Sequence, residues 1–330
     1  MSEKASPPTF PWLVALALVL PALASAWLVA QAELATKAGP PAALEAARWA
    51  LAVAPPLALL LAMFHPRALP AVQGWSGGQR SLLAGLVGLW IVVVPAQRFD
   101  PYLPVVVAAA AAACPAALRG GQRGLGADGL LVWLLLWIPF DLRWYGAGPW
   151  LAGKGGYAAW SIGISLVAVL SFGGSGRCGG LGLVPPPGAG RALGRVLAGL
   201  LGFALVAIPL GHWSGFLRPH GEAALGPGAA ALEGLGLLLT VALPEELFFR
   251  GVMDAGLRAR WGSLPALLVS SAAFGLMHWN NRSDPGQAAI YVGLATLAGL
   301  LYALAFRRGG LLVAAAVHAL VDLVWKLFLR

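Results

Sequence analysis

Charge is scarce in this chain. Charged residues make up 11% of the 330, less than half the quarter usual in a soluble domain, and hydrophobic residues make up 59%. So few charges cannot cover the surface of a soluble globule, so that class is excluded. A mean hydropathy of +0.78 agrees. Cysteine is nearly absent. Only Cys114, in an apolar run, and Cys178, in a glycine-rich stretch, occur, which leaves neither a disulfide framework nor a CxxC metal site. There is no dense basic run either. The net charge is +9, but the 22 Lys and Arg stand singly and in pairs between apolar stretches. That is how membrane-topology signals are distributed, and a nucleic-acid footprint would cluster them. No nucleic-acid partner is expected; the partner the composition implies is a lipid bilayer.

What is abundant is apolar sequence. Runs fall at 10–32, 43–64, 81–97, 101–118, 127–141, 156–173, 192–211, 229–256, 264–279, 286–306 and 310–329. They predict an all-α, polytopic transmembrane helix bundle of about 8–11 spans. The 44 Gly and 25 Pro do not oppose this. In lipid, small residues let helices approach, and neighbours satisfy the backbone groups that Pro frees. Residues 12–26 resemble a signal-peptide core ending in Ala24-Ser25-Ala26. The only early lysine, Lys4, sits beside Glu3, and apolar sequence continues to Ala32, so a retained first span is expected.

Residues 173–195 are rich in Gly, Pro and Arg and include a triple Pro, so no helix is expected to run through them. They divide an N-terminal bundle, 1–172, of unknown role from a C-terminal bundle, 192–330, expected to be catalytic. With eleven spans and Arg250 set aside, Lys and Arg number 12 on the N-terminal side of the membrane and 9 on the other. This places the N-terminus in the cytoplasm. Arg outnumbers Lys 18 to 4, and Ala and Gly abound, as in a GC-rich bacterial genome. A multi-pass protein of the bacterial cytoplasmic membrane is the expected setting.

Ionisable residues inside a bilayer cost at least ~2.5–3.5 kcal/mol each on insertion scales, and so mark function by default. Here they concentrate after residue 229. One cluster is Pro244-Glu245-Glu246-Leu247-Phe248-Phe249-Arg250, the second Phe274 to His278, the third His318 to Asp322. Histidines 65, 212 and 220 lie in or near loops. Glu246 and Arg250 are i,i+4 and share a helix face. Arg250 can neutralise one carboxylate and leave its neighbour for chemistry, although the same pair could simply tie packed helices together. Pro244 has no N–H, so the helix is expected to loosen just before the glutamates. Phe274 and His278 are i,i+4, as are His318 and Asp322.

Heights also match. Trp261-Gly262-Ser263 predicts a turn between antiparallel helices. Glu245 stands 17 residues before Gly262 and His278 16 after it, so both lie about 25 Å from the turn. The helix end carrying Asp254, Arg258 and Arg260 is expected to protrude from the lipid. A second turn at Gly309-Gly310 puts His318 roughly 13 Å in. Phe248, Phe249 and Phe274 are expected to pack or form a lid. Trp279, Asn280 and Asn281 are expected to form an interfacial cap, and most of the 14 Trp an interfacial belt.

These motifs resemble the CAAX protease and bacteriocin-processing (CPBP) intramembrane peptidases. Their pattern is Glu-Glu-x-x-x-Arg, Phe-x-x-x-His and His-x-x-x-Asn/Asp on successive membrane helices. Here it reads Glu245-Glu246…Arg250, Phe274…His278 and His318…Asp322. The resemblance covers about 229–330 and implies an intramembrane endopeptidase. Amide hydrolysis needs an activated water, a proton donor and a stabilised oxyanion. The resemblance assigns Glu245 and His278 to the water, and Glu246 with Arg250 to positioning. His318, assisted by Asp322, faces the oxyanion. A metal-free glutamate mechanism needs no cofactor. The alternative uses zinc on Glu245, His278 and His318. Implied substrates are membrane-associated peptide precursors or C-terminal sorting tails. The competing classes are a non-catalytic protein of the same fold, such as a bacteriocin-immunity or assembly factor, and a transporter with a Glu/His proton relay.

Overall fold

The computed structural model describes residues 42–63, 72, 74–93, 153–172, 189–218 and 226–329. Every long regular element among them is helical, as the apolar runs imply. The first span, the signal-peptide question, the runs at 101–118 and 127–141, and hence the full span count lie outside the described residues. The described helices fall into two compact units, one ending at Phe172 and one beginning at Ala189.

The first unit holds α1 (Ala42–Met63), α2 (Gly77–Val93) and α3 (Gly153–Phe172). Along α3, Trp160, Ile162, Ile164, Leu166 and Leu170 are all fully buried. A helix apolar all round belongs inside a bundle, and α3 packs on both α1 and α2. Its buried Ser165 hydroxyl donates to Ser161 O at 2.8 Å within the helix, which satisfies that donor.

The second unit holds α4 (Ala189–Trp213), α5 (Pro227–Trp261), α6 (Ser263–Leu276) and α7 (Pro285–Phe328). Three of these, over Val196–Trp213, Pro227–Trp261 and Pro285–Phe328, are long and apolar enough to cross a membrane. One boundary needs correcting. Residues 189–195, read as part of a loop, are already helical. The triple Pro precedes them, and Ala189, Arg191, Ala192 and Leu193 are good helix formers, so the helix starts once the prolines end.

Two hairpins organise this unit. Gly262 joins α5 to α6 with φ 85, ψ 179, and Gly310 interrupts α7 with φ 82, ψ −174. Both lie in a region of backbone space essentially restricted to glycine. In a straight helix Tyr302 and His318 would be about 24 Å apart. Their rings stack at 4.4 Å instead, so α7 folds back at Gly310 into two antiparallel arms. The α5–α6 hairpin closes likewise: Arg250 and Phe274, each twelve residues from Gly262, meet at 4.9 Å.

Helix α6 crosses α7 closely because Gly275 lacks a side chain. A Cβ there would collide with Thr296 Oγ1 and lie 2.6 Å from Val292 O. Asp254 corrects a second expectation. It is fully buried, and its Oδ1 accepts from Arg307 Nη2 at 2.6 Å. Arg307 also donates to Ser263 Oγ at 2.8 Å, tying the two hairpin tips together. Arg260 is exposed, as expected.

Candidate active site

Helix α5 carries the first motif through an irregular stretch. Turns of π-helix at Leu238–Ala242 and Leu247–Asp254 flank a short α segment, Leu243–Glu246. Pro244 cannot donate to the carbonyl of Thr240, so the helix widens just before the glutamates, as the sequence predicts. The second π segment, through Arg250, had no proline to announce it. From this stretch Glu245, Glu246 and Arg250 project into the bundle, all buried.

Glu246 is the hub of the polar group. Its Oε2 lies 3.2 Å from Arg250 Nε, both side chains being fully buried. Its Oε1 accepts from His318 Nδ1 at 2.9 Å. That bond puts a proton on Nδ1 and turns Nε2 the other way. His318 Nε2 lies 3.5 Å from Asp322 Oδ2 and 3.9 Å from Glu245 Oε2. One imidazole is thus surrounded by three carboxylates, of which Arg250 neutralises one. Arg250 is held further by the Phe274 ring and by Ser270 O, 3.5 Å from Nη1. Gly299 leaves it room, since a Cβ there would lie 3.3 Å from Arg250 Nη2.

His278 joins the group through apolar contact. Its Nδ1 donates to Phe274 O at 2.8 Å, so Nε2 is the basic nitrogen. The Phe274 ring lies 4.9 Å from the His278 ring and 5.5 Å from that of His318. It is the wall both histidines share, more a scaffold than a lid. Phe249 and Phe248 continue it inward with edge-on contacts at 5.2 and 5.3 Å. All six candidate residues therefore come together. His278, His318 and Asp322 line a cavity of about 440 Å³, otherwise walled mostly by apolar residues of α4 and α7 such as Phe203, Ala207 and Leu294. Glu245 and Glu246 do not line it; Glu245 approaches it through His318.

Three residues of this site were missed in the sequence. Tyr302 stacks on His318 with 15° between the planes. Tyr291 meets His278 at 5.0 Å and Trp325 at 4.9 Å, and both rings line the cavity. Tyr302 was within reach of sequence reasoning, because it stands eight residues before Gly310 and His318 eight after it. Trp325 looks like an interfacial tryptophan by position and is a cavity wall by packing. Trp279–Asn281 forms a short 3-10 turn, consistent with a cap. Among the described residues no three His, Cys, Asp or Glu side chains are gathered so as to hold a metal ion.

Residues 227–324 match the family described as type II CAAX prenyl endopeptidase Rce1-like. The match spans α5, α6 and most of α7, and includes all six candidate residues. Comparisons with curated proteins and with solved structures returned no match.

Proposed function

Because residues 227–324 carry that match and three motif residues within it, His278, His318 and Asp322, line one cavity, we propose that this integral membrane protein is an intramembrane endopeptidase. It cuts a peptide bond near the membrane in a membrane-associated protein or peptide. The observation that carries the reading is the meeting of His278, His318 and Asp322 on one largely apolar cavity, with Glu245 3.9 Å from His318 Nε2.

In this reading water attacks the scissile carbonyl carbon, and its proton passes to the Glu245–His278 pair. His278 offers an unprotonated Nε2. The tetrahedral oxyanion forms against His318, held by Asp322 and by the buried Glu246–Arg250 pair. The C–N bond then breaks as the proton returns to the leaving amine, giving a free carboxylate and a free amine. The substrates are peptide precursors or C-terminal sorting tails, and the setting is the bacterial cytoplasmic membrane.

The test is cleavage of a quenched peptide library by protein purified in detergent. Glu245→Ala and His278→Ala should each lose more than ~10²-fold in turnover while still inserting and folding. Near-normal turnover by either would sink the assignment. The same enzyme, stripped of zinc and checked by elemental analysis, should stay active. Stoichiometric zinc whose removal abolishes activity and whose return restores it would replace the glutamate mechanism by the metal one.

A further inference from the structure

Asp254 and Arg307 stand outside the proposed chemistry, yet Asp254 is fully buried. Arg307 meets it through a fork: Nη2 donates to Oδ1 at 2.6 Å and Nε to Oδ2 at 3.3 Å. The same guanidinium also holds the start of α6. Its Nη1 donates to Ser263 Oγ at 2.8 Å and its Nη2 to Ser263 O at 3.0 Å. Farther along α6, Ser270 Oγ lies 3.5 Å from Asp254 Oδ1, and Ser270 O lies 3.5 Å from Arg250 Nη1. Neither Asp254 nor Arg307 lines the cavity. A forked carboxylate–guanidinium pair fixes direction as well as distance.

This pair closes the π segment Leu247–Asp254 at its last residue. At the other boundary of the segment, Glu246 meets His318 Nδ1 and Arg250. His318 and Arg307 sit on the two arms of α7, on either side of the Gly310 turn. The segment is thus gripped at both ends by one folded-back helix. A π turn and an α turn present the same residue in different directions. If the segment tightened to α, the angle between Glu246 and Asp254 about the helix axis would change, and the two could not both keep their partners.

We propose that Asp254 and Arg307 are positioning residues for the active site: their clamp holds the π segment in its widened form and so keeps Glu246 on His318. This rests on the peptidase reading. Asp254 and Arg307 touch neither the substrate nor the attacking water; they act through Arg250 and Glu246. Opening the clamp lets Glu246 turn from His318 and leaves that imidazole without the bond that orients it toward the oxyanion. The cavity is walled by other residues, so substrate binding stays while the chemical step slows.

The test is the double variant Asp254→Leu with Arg307→Met, in the full chain in detergent. Replacing both charges by apolar side chains leaves no unpaired carboxylate inside, so the variant should fold, and its folded fraction is read from a melting curve. Per folded molecule, kcat on a quenched peptide should fall about tenfold or more, with KM changed less than about twofold. Arg307→Lys, which keeps a cation on Asp254 without the fork, should lie between. A second readout needs no activity. With nitrogen-15 in the five histidines, and His318 assigned through His318→Gln, the unaltered chain should show its Nδ1 proton far downfield, as donated to a carboxylate. The double variant should lose that resonance. Normal kcat per folded molecule, or a loss shared equally by KM, overturns the positioning role. So does a His318 resonance that the double variant leaves in place, or one missing from the unaltered chain. If the unaltered chain cleaves no peptide, the peptidase reading fails instead, and the resonance alone decides whether the clamp sets the contact of Glu246 with His318.

Discussion

Removing the Arg250 guanidinium would leave the Glu246 carboxylate in a site with no solvent exposure. Breaking a buried pair from one side costs about 3–5 kcal/mol, whereas replacing both partners can be nearly neutral. Arg250→Ala should therefore melt early in detergent. The double variant Glu246→Gln with Arg250→Met should recover most of the loss. Gln keeps an oxygen to accept from His318 Nδ1, and Met keeps volume against the Phe274 ring. Activity should stay low, because His318 would no longer be held by a charged partner. The measurement is a melting curve for wild type, both singles and the double; additive losses would mean that the two residues do not interact. The pairing was legible from the i,i+4 spacing alone. The bond from Glu246 to His318, 72 residues away, was not, because nothing local links them.

At the scale of elements, two glycines hold the site together by backbone geometry. Gly262 has φ 85, ψ 179, and a Cβ there would meet nothing within 4 Å. The cost of Gly262→Ala is thus the backbone conformation itself, about 1–3 kcal/mol. Gly236 lies inside the helical part of α5 and is equally open, so Gly236→Ala should be neutral or stabilising by up to ~1 kcal/mol. Melting temperatures that fall alike for both variants would show that Gly262 has no special conformational role. Both hairpin turns were readable from glycines between apolar runs. The loosening before Glu245 was readable from Pro244. The π segment at Leu247–Asp254 was not, since no proline or glycine pattern within it announces a widened turn.

For the whole of the second unit, charge divides by end. The α4 start and both hairpin tips carry Arg191, Arg195, Arg258, Arg260, Arg307 and Arg308. The opposite end carries Arg218, Arg282 and Lys326, and Lys326 is paired with Glu233. By the positive-inside rule the hairpin tips would be expected on the cytoplasmic side. An eleven-span chain with a cytoplasmic N-terminus would have the same orientation. In intact cells, cysteine at the 86%-exposed Trp213 position should react with an impermeant maleimide. Cysteine at the exposed Arg308 position should react only after permeabilisation. The reverse pattern would invert the topology and present the site to cytoplasmic substrates.

Composition and spacing by themselves determined that this chain lives in a bilayer, that the ionisable motifs gather in its second half, and that the three motifs lie at compatible depths. Depth follows from sequence because each helical residue advances a nearly constant ~1.5 Å. Rotation about the helix axis does not. It depends on how side chains interlock, as where Gly275 lets α6 close on Thr296, and on π turns that shift the face presented. The tertiary structure alone therefore decided that Glu246 rather than Glu245 holds His318. It decided that Tyr302 stacks on that ring, and that Asp254 is spent on Arg307 instead of facing solvent. It also put Arg282 beside two rings, because Phe216 and Tyr291 come from segments 75 residues apart that only folding brings together.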